Sequence, residues 1–146
     1  MQLNSIVIDE IDRSDSEKIE LKNKLKARSD KKTNWAINEI IAMCEIEKKF
    51  NIDFNNVNGS WAGAFGIPQF LPSSYLRYAV DGNNDNKIDL FNMEDAIFSV
   101  ANYLNKKNWG TTVEQQKNAV WSYNNSWDYV DAVLNLSQLI KGNSKK

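Results

Sequence analysis

The chain has 146 residues, of which 42% are hydrophobic and 25% charged, enough for one globular domain that buries roughly 70% of its unfolded surface. A formal net charge of −1 and no Lys/Arg stripe interleaved with aromatics leave no electrostatic footprint for DNA or RNA. There is no histidine, which excludes a Ser-His-Asp triad, a His-paired cysteine nucleophile and a His-ligated zinc within the chain.

Leu3, Ile6, Val7 and Ile11 recur at helical spacing and predict a short amphipathic helix. No basic n-region precedes them, and Asp9, Glu10 and Asp12 interrupt the apolar run, so no signal peptide is read there. No stretch has the length of a transmembrane helix, and the expectation from the sequence as written, with Met1 as its start, is that the chain would stay in the compartment where it is made. Ser14-Asp15-Ser16-Glu17 predicts a second helix, with Ile19, Leu21 and Leu25 amid a solvated, charged face. Thr33 is read as the cap of a third, with Trp35, Ile37, Ile40, Ile41 and Cys44 as its inward stripe. Cys44, the single cysteine, has no internal disulfide partner and is read as a small buried hydrophobe.

Asn51 to Asn58 reads as a loop. A helix is expected from Pro72-Ser73-Ser74 onward. Another opens at Asn92 and Asp95, with Ile97, Val100, Ala101 and Leu104 on one face. Trp109 to Thr112 breaks it. A further helix carries Val113, Ala119, Val120 and Trp121, and Ser126 caps a last one with Val130, Val133, Leu134 and Leu136 inward. No period-two run of strand length occurs, so the fold class is mainly α. No internal repeat is present.

The most particular stretch is Gly59 to Asp95, which holds both prolines and four of the six glycines. Its Gly59-Ser60-Trp61-Ala62-Gly63-Ala64-Phe65-Gly66-Ile67-Pro68-Gln69-Phe70 run alternates small residues with large aromatics around a buried-looking glutamine. Small residues let backbone approach a ligand or a neighbouring helix. Trp61 and Phe65 offer flat faces suited to sugar rings, and Gln69 offers an amide donor and acceptor. Tight helix packing with the aromatics in the core is the alternative reading of the same run.

Asp81-Gly82-Asn83-Asn84-Asp85-Asn86-Lys87-Ile88-Asp89 sets oxygen side chains at alternating positions before an apolar anchor, as in the first three-quarters of an EF-hand loop. Asn86 stands where glycine is usual, and Asn92 replaces the bidentate glutamate of position twelve. The other reading is an Asx-rich turn that caps the next helix without metal.

These motifs together resemble the membrane-bound lytic transglycosylase B family of lytic murein transglycosylases, whose lysozyme-like domains cleave peptidoglycan. The resemblance continues through Pro72-Ser73-Ser74-Tyr75, Tyr78-Ala79-Val80-Asp81, Ile97 to Leu104, and Ala119-Val120-Trp121-Ser122-Tyr123-Asn124 with Ser126, Tyr129 and Val130. Lys31-Lys32 and Trp35 to Ile40 resemble, more weakly, the family's basic pair and following helix. The resemblance implies a mainly α, lysozyme-like helical domain with an EF-hand-like loop. Residues 1–30 would be an N-terminal helical segment, 31–140 the C-terminal part of the transglycosylase domain, and 141–146 a disordered tail. It further implies substrate contacts by Ser60, Gln69, Tyr103, Tyr123, Asn124 and Tyr129. A structural Ca2+ would be held by Asp81, Asn83, Asp85, the Lys87 carbonyl and Asp95. Peptidoglycan glycan strands are the implied partner and the cell envelope or periplasm the implied location.

The family's reaction splits the MurNAc-GlcNAc bond without water and leaves 1,6-anhydro-MurNAc. One glutamic acid protonates the glycosidic oxygen, then as carboxylate takes the proton of the muramoyl 6-hydroxyl, so no second carboxylate is needed. That glutamate belongs to a Glu-Ser/Thr segment followed by glycine, yet no glycine precedes Gly59 and no Glu-Ser or Glu-Thr pair occurs. Glu10, Glu17, Glu20, Glu39, Glu45 and Glu47 read as solvated or structural. The expectation is therefore a fragment whose acid lies upstream of Met1, inactive alone. A non-catalytic glycan-binding module is the alternative, with a hydrolytic muramidase and a calcium-dependent interaction protein behind it.

Overall fold

Helix α1 (Asp15–Phe50) begins where the Ser14-to-Glu17 pattern places a start: the Glu17 carboxylate accepts from the Ser14 N–H at 3.0 Å and from its hydroxyl at 2.7 Å. The structure, a computed structural model, describes residues 8–10 and 12–143; the helix expected from Leu3, Ile6, Val7 and Ile11 falls largely outside the described residues. Two predicted helices prove to be one of 36 residues. Asp30 to Thr33 contains neither glycine nor proline. The i,i+4 pairs Glu20–Lys24 at 2.6 Å and Lys26–Asp30 at 3.2 Å carry the helix through the polar stretch, so Thr33 caps nothing. The helix ends at Asn51, left-handed at φ 55, whose N–H reaches the Glu47 carbonyl at 3.1 Å.

The inward face of α1 is not the one expected. Glu39, Ala42 and Ile46 are buried, whereas Trp35, Ile37, Ile40 and Ile41 are exposed, and so is Cys44. Small Ala42 lets the helix approach its neighbour closely, and Glu39 has a polar partner there. The carboxylate accepts from the Ser73 N–H at 2.9 Å and the Ser73 hydroxyl at 2.8 Å. Those donors lie in the first turn of α2 (Pro72–Tyr78), which begins with proline as predicted and has no cap side chain of its own.

Helix α3 (Met93–Lys106) is capped by Asn92, whose side-chain oxygen accepts from Glu94 N–H at 2.8 Å. Its buried residues are Asp95, Ala96, Ser99 and Tyr103, while Ile97 and Ala101, expected inside, are exposed. Polar anchors set this rotation. The Asp95 carboxylate is drawn to the preceding loop, and the Ser99 hydroxyl accepts from Val80 N–H at 3.0 Å.

Helix α4 (Val113–Tyr123) starts with a capping box between Thr112 and Gln115. It buries Ala119 and Val120 and leaves Val113 and Trp121 exposed. Helix α5 (Trp127–Asn143) is capped by Ser126, whose hydroxyl oxygen accepts from Tyr129 N–H at 3.3 Å, and it runs on through Lys141 and Gly142. Val130 is fully buried, whereas Leu136, expected inward, is exposed.

Each helix packs on its neighbour in sequence: α1 on α2, α2 on α3, α3 on α4 and α4 on α5. The loop read at 51–58 contains a single 3-10 turn, Phe54–Asn56. Among the described residues there is no β-strand, only two isolated antiparallel bridges, Gly59 with Phe65 and Phe65 with Phe70. Ile46, Phe65, Phe70, Tyr75, Leu90 and Tyr103 form the core, so it centres on the Gly59-to-Leu90 segment. Phe54 and Phe65 meet edge to face at 5.1 Å, an arrangement that aromatic quadrupoles favour.

Candidate glycan groove and acidic loop

The two bridges fold residues 59–70 into a tight double turn. Ser60 donates its N–H to the Ala64 carbonyl at 2.8 Å, and its hydroxyl oxygen accepts from Ala64 N–H at 3.1 Å and Ala62 N–H at 3.3 Å. The oxygen is thus occupied in shaping the turn, with its proton left to donate outward. Gly66 takes φ +72, and a Cβ there would lie 2.5 Å from the Leu90 Cβ, so neither the conformation nor the space admits a side chain. Gln69 is exposed, not buried, and holds a left-handed φ of 52. Its side-chain amide donates to the Gly66 carbonyl at 3.0 Å, which leaves the amide carbonyl as an acceptor.

Beside this turn lies a groove of about 350 Å³ lined by Ile67 and Pro68, by Ala96, Ile97, Val100 and Leu104 of α3, by Val120 and Tyr123 of α4, and by Tyr129 and Val133 of α5. Exposed Ile97 therefore faces the groove. The Tyr123 hydroxyl donates to the Pro68 carbonyl and ties α4 to the residue before Gln69. Tyr103 stands behind it, rings 5.2 Å apart and nearly perpendicular, with its hydroxyl donating to the Ser122 carbonyl at 2.5 Å. Burial pushes both phenols above their ordinary value, helped at Tyr123 by Tyr129 and at Tyr103 by Tyr78.

Of the expected substrate contacts, Tyr123 and Tyr129 line the groove, and Tyr103 buttresses it from the core. Ser60, Gln69 and Asn124 are exposed but are not among the lining residues. Among the described residues, no groove-lining side chain is a carboxylic acid. A second hollow of about 340 Å³ lies between α1 and the turn, with Trp35, Glu39 and Trp61 among its lining, the Glu39 carboxylate being bonded to Ser73. Trp61 is 98% exposed, so nothing described in this chain covers its ring. Pairing Trp35 with Trp61 was beyond sequence reading, because it requires the true rotation of α1.

The acidic loop is organised by its own carboxylates. Asp81 accepts from Asp85 N–H at 3.2 Å and Asn86 N–H at 2.8 Å. Asn83 accepts from Asp85 N–H at 3.0 Å, and Asp85 from Lys87 N–H at 2.8 Å. Asn86 adopts φ 66, the left-handed conformation its position demands. Asp95 is buried, and its two oxygens accept separately from Gly82 N–H at 2.8 Å and Asp89 N–H at 2.7 Å. It clasps both ends of the loop to α3, a role the sequence did not suggest. Among the described residues no three His, Cys, Asp or Glu side chains form a metal-ligating group. Asp81 and Asp85 come together with the amide of Asn83, while Asp95 is occupied with backbone donors.

Residues 23–117 match the family described as the transglycosylase SLT domain. The chain belongs to that family. The SLT domain here is 54% identical over 54 residues to the membrane-bound lytic murein transglycosylase B of Escherichia coli (strain K12), a stretch covering 37% of this chain and 15% of that protein. The soluble lytic transglycosylase SltB1 of Pseudomonas aeruginosa superimposes with a TM-score of 0.69 at 23% identity, covering 75% of this chain and 57% of that one. The E. coli lytic transglycosylase Slt35 in complex with calcium aligns at 42% identity over 50% of this chain and 23% of its own, with a TM-score of 0.49. The SltB1 superposition establishes the lysozyme-like helical fold of this SLT domain. The chain spans 15% and 57% of the lengths of the first two relatives. No described helix is long and apolar enough to cross a membrane.

Proposed function

We propose that this SLT domain takes part in lytic cleavage of peptidoglycan, splitting the MurNAc-GlcNAc bond to give 1,6-anhydro-MurNAc. The observation that carries the reading is the groove at Tyr123 and Tyr129, pinned by the Tyr123–Pro68 bond next to an outward-facing Gln69. Aromatic faces in such a groove suit sugar C–H surfaces, and amide and hydroxyl groups match sugar hydroxyls. On this reading Ser60 donates to the glycan, and Gln69 and Asn124 bond it from the rim. Tyr129 contacts it directly, while Tyr103 and Tyr123 hold the wall in place. Trp61 and Trp35 add a stacking surface. On this reading the transglycosylase unit, expected over residues 31–140, takes in the continuous helix α1 and α5, and it works in the cell envelope or periplasm.

The proton donor is the part this wall does not include. Protonation of the glycosidic oxygen needs a carboxylic acid within hydrogen-bond reach, and the groove-lining side chains hold none. The acid therefore comes from outside the groove lining, and the chain by itself binds without cutting. The same observation favours a second reading, a non-catalytic glycan-binding module.

The acidic loop fits a structural Ca2+. Asp81, Asn83, Asp85 and the Lys87 carbonyl are hard oxygen donors within one turn, the chemistry calcium prefers, and bound calcium would neutralise the Asp81 and Asp85 charges. Asp95 supports the loop by gripping its backbone at Gly82 and Asp89, and on this reading it also closes the calcium site.

The test is digestion of purified sacculi with the chain, followed by mass spectrometry of the soluble and bound fractions. Anhydro-muropeptide release establishes the lytic activity in this chain. Binding without release identifies the glycan-binding module, hydrated ends identify a muramidase, and absence of binding refutes the glycan reading altogether.

A further inference from the structure

The acidic loop and the groove meet at three consecutive residues, Ile88, Asp89 and Leu90. They follow Lys87, whose carbonyl belongs to the calcium donor set. The Ile88 carbonyl accepts from the Tyr75 hydroxyl at 2.8 Å, and Asp89 donates its N–H to Asp95 at 2.7 Å. The Leu90 carbonyl accepts from Ile67 N–H at 2.8 Å. Ile67 and the next residue, Pro68, line the groove. One short run of backbone is therefore bonded to α2, to α3 and to the groove turn.

The groove end of this run has no slack. Leu90 is 1% exposed, and the Gly66 backbone lies so close that a Cβ there would come within 2.5 Å of the Leu90 Cβ. Pro68 is held from the other side by the Tyr123 hydroxyl. A second connection passes through α3, because Asp95 grips Gly82 and Asp89, and the two residues after it, Ala96 and Ile97, line the groove. A close-packed interior transmits a displacement to its neighbours. Residues 84–87, by contrast, are exposed, and Asp81 and Asp85 bring two like charges into that turn. The loop is yielding on its outer side and fixed on the side that faces the groove.

We propose that Ile88, Asp89 and Leu90 form a strut that couples the acidic loop to the groove, so that calcium in the loop and glycan in the groove each tighten the binding of the other. This rests on the glycan and calcium readings given above. Asp81, Asp85 and the Lys87 carbonyl, once they share a cation, fix where the strut begins. The Leu90–Ile67 bond then fixes Ile67, Pro68 and the adjoining Gln69 at its far end. Coupling between two sites is reciprocal and commonly changes affinity by about 5–150-fold. The lower end is expected here, because Tyr75 and Asp95 also hold the strut and limit how far it moves.

The experiment measures binding of the full chain to purified sacculi by co-sedimentation, in saturating calcium and in chelator. The temperature is one at which circular dichroism shows the chain folded in both. Calcium binding is followed separately by calorimetry, and amide hydrogen exchange by NMR compares Ile67 with the amides of α4. The expected result is about fivefold tighter sacculus binding in calcium, lost in Asp85→Asn, with Ile67 exchange slowed by calcium more than exchange in α4. A merely stabilising ion would leave the affinity of the folded chain unchanged. Calcium that binds yet leaves either the sacculus affinity or the Ile67 exchange unchanged overturns the inference and leaves the glycan and calcium readings intact. A calcium effect on affinity that Asp85→Asn retains overturns it as well. A chain that binds no calcium overturns the calcium reading together with the coupling, and one that binds calcium but no sacculi overturns the glycan reading together with it.

Discussion

Replacing Asp95 by alanine should unfasten the acidic loop from α3. The carboxylate is 1% exposed and accepts two backbone N–H groups, from Gly82 at 2.8 Å and Asp89 at 2.7 Å. A hydrogen bond to a charged group contributes about 1.5–3 kcal/mol net, and losing its acceptor leaves a buried donor unpaired. Asp95 also lies in the first turn of α3, where a negative charge adds roughly 0.5 kcal/mol through the helix dipole. Together these give a loss of about 4 kcal/mol, a large share of the stability of an ordinary domain. Asp95→Asn keeps one acceptor oxygen at nearly the same volume and should lose about half as much. Urea unfolding followed by far-UV circular dichroism, in buffer containing a chelator, reads both. With an m value of about 2 kcal/mol/M, the alanine midpoint should fall by about 2 M. An alanine variant that unfolds at the wild-type midpoint would refute the clasp and with it the account of why α3 turns its polar residues inward.

Gly82→Ala should destabilise by several kcal/mol at about the scale of overpacking, because its Cβ would meet the Glu94 carbonyl oxygen at 2.6 Å, and a wild-type melting temperature would count against that close approach. Calcium should raise the melting temperature in proportion to ligand binding, about 2.7 kcal/mol at a hundredfold excess over Kd, and Asp85→Asn should abolish the shift; a calcium-insensitive wild-type chain would dispose of the site. Alkaline pH should unfold the domain. Tyr75, raised by burial and then by the Asp89 and Asp95 carboxylates, and Tyr123, raised by burial, keep their protons in the fold above the ordinary value of 10.0. The unfolded chain loses these protons first, so the stabilisation is complete below pH 10.0 and falls as pH rises beyond it. Tyrosinate absorbance that rises together with loss of helix signal is the expected result, and ionisation of these phenols without unfolding is the contrary one.

The sequence made the helix starts legible because caps are local. Ser14, Pro72, Asn92 and Ser126 each begin an element where their chemistry requires. It misjudged which faces turn inward for a physical reason. Apolar periodicity assumes that burial of hydrophobic side chains fixes a helix's rotation, but α1 is set by Glu39 and α3 by Asp95 and Ser99. These polar anchors depend on donors from distant segments that no local pattern displays. The same assumption places Cys44 and Ile41 inward, and both lie exposed. In the candidate site, the tyrosines stand out in the sequence because they belong to a recognisable motif. The commitment of their hydroxyls to Pro68 and Ser122, and the grouping of Trp35 with Trp61, exist only in three dimensions.

The Glu39–Ser73 contact also bears on how the chain folds. Helix α2 has seven residues, too few to persist alone, and no acidic residue in its own first turn. Its Ser73 N–H and hydroxyl find their carboxylate 34 positions upstream, on the far half of α1. The two helices are thus energetically coupled, the short second one depending on the first for a carboxylate at its N-terminus. The turn that presents Ser60 and Gln69 is strung between them, so the docking of α2 on α1 also fixes where both ends of that turn are held.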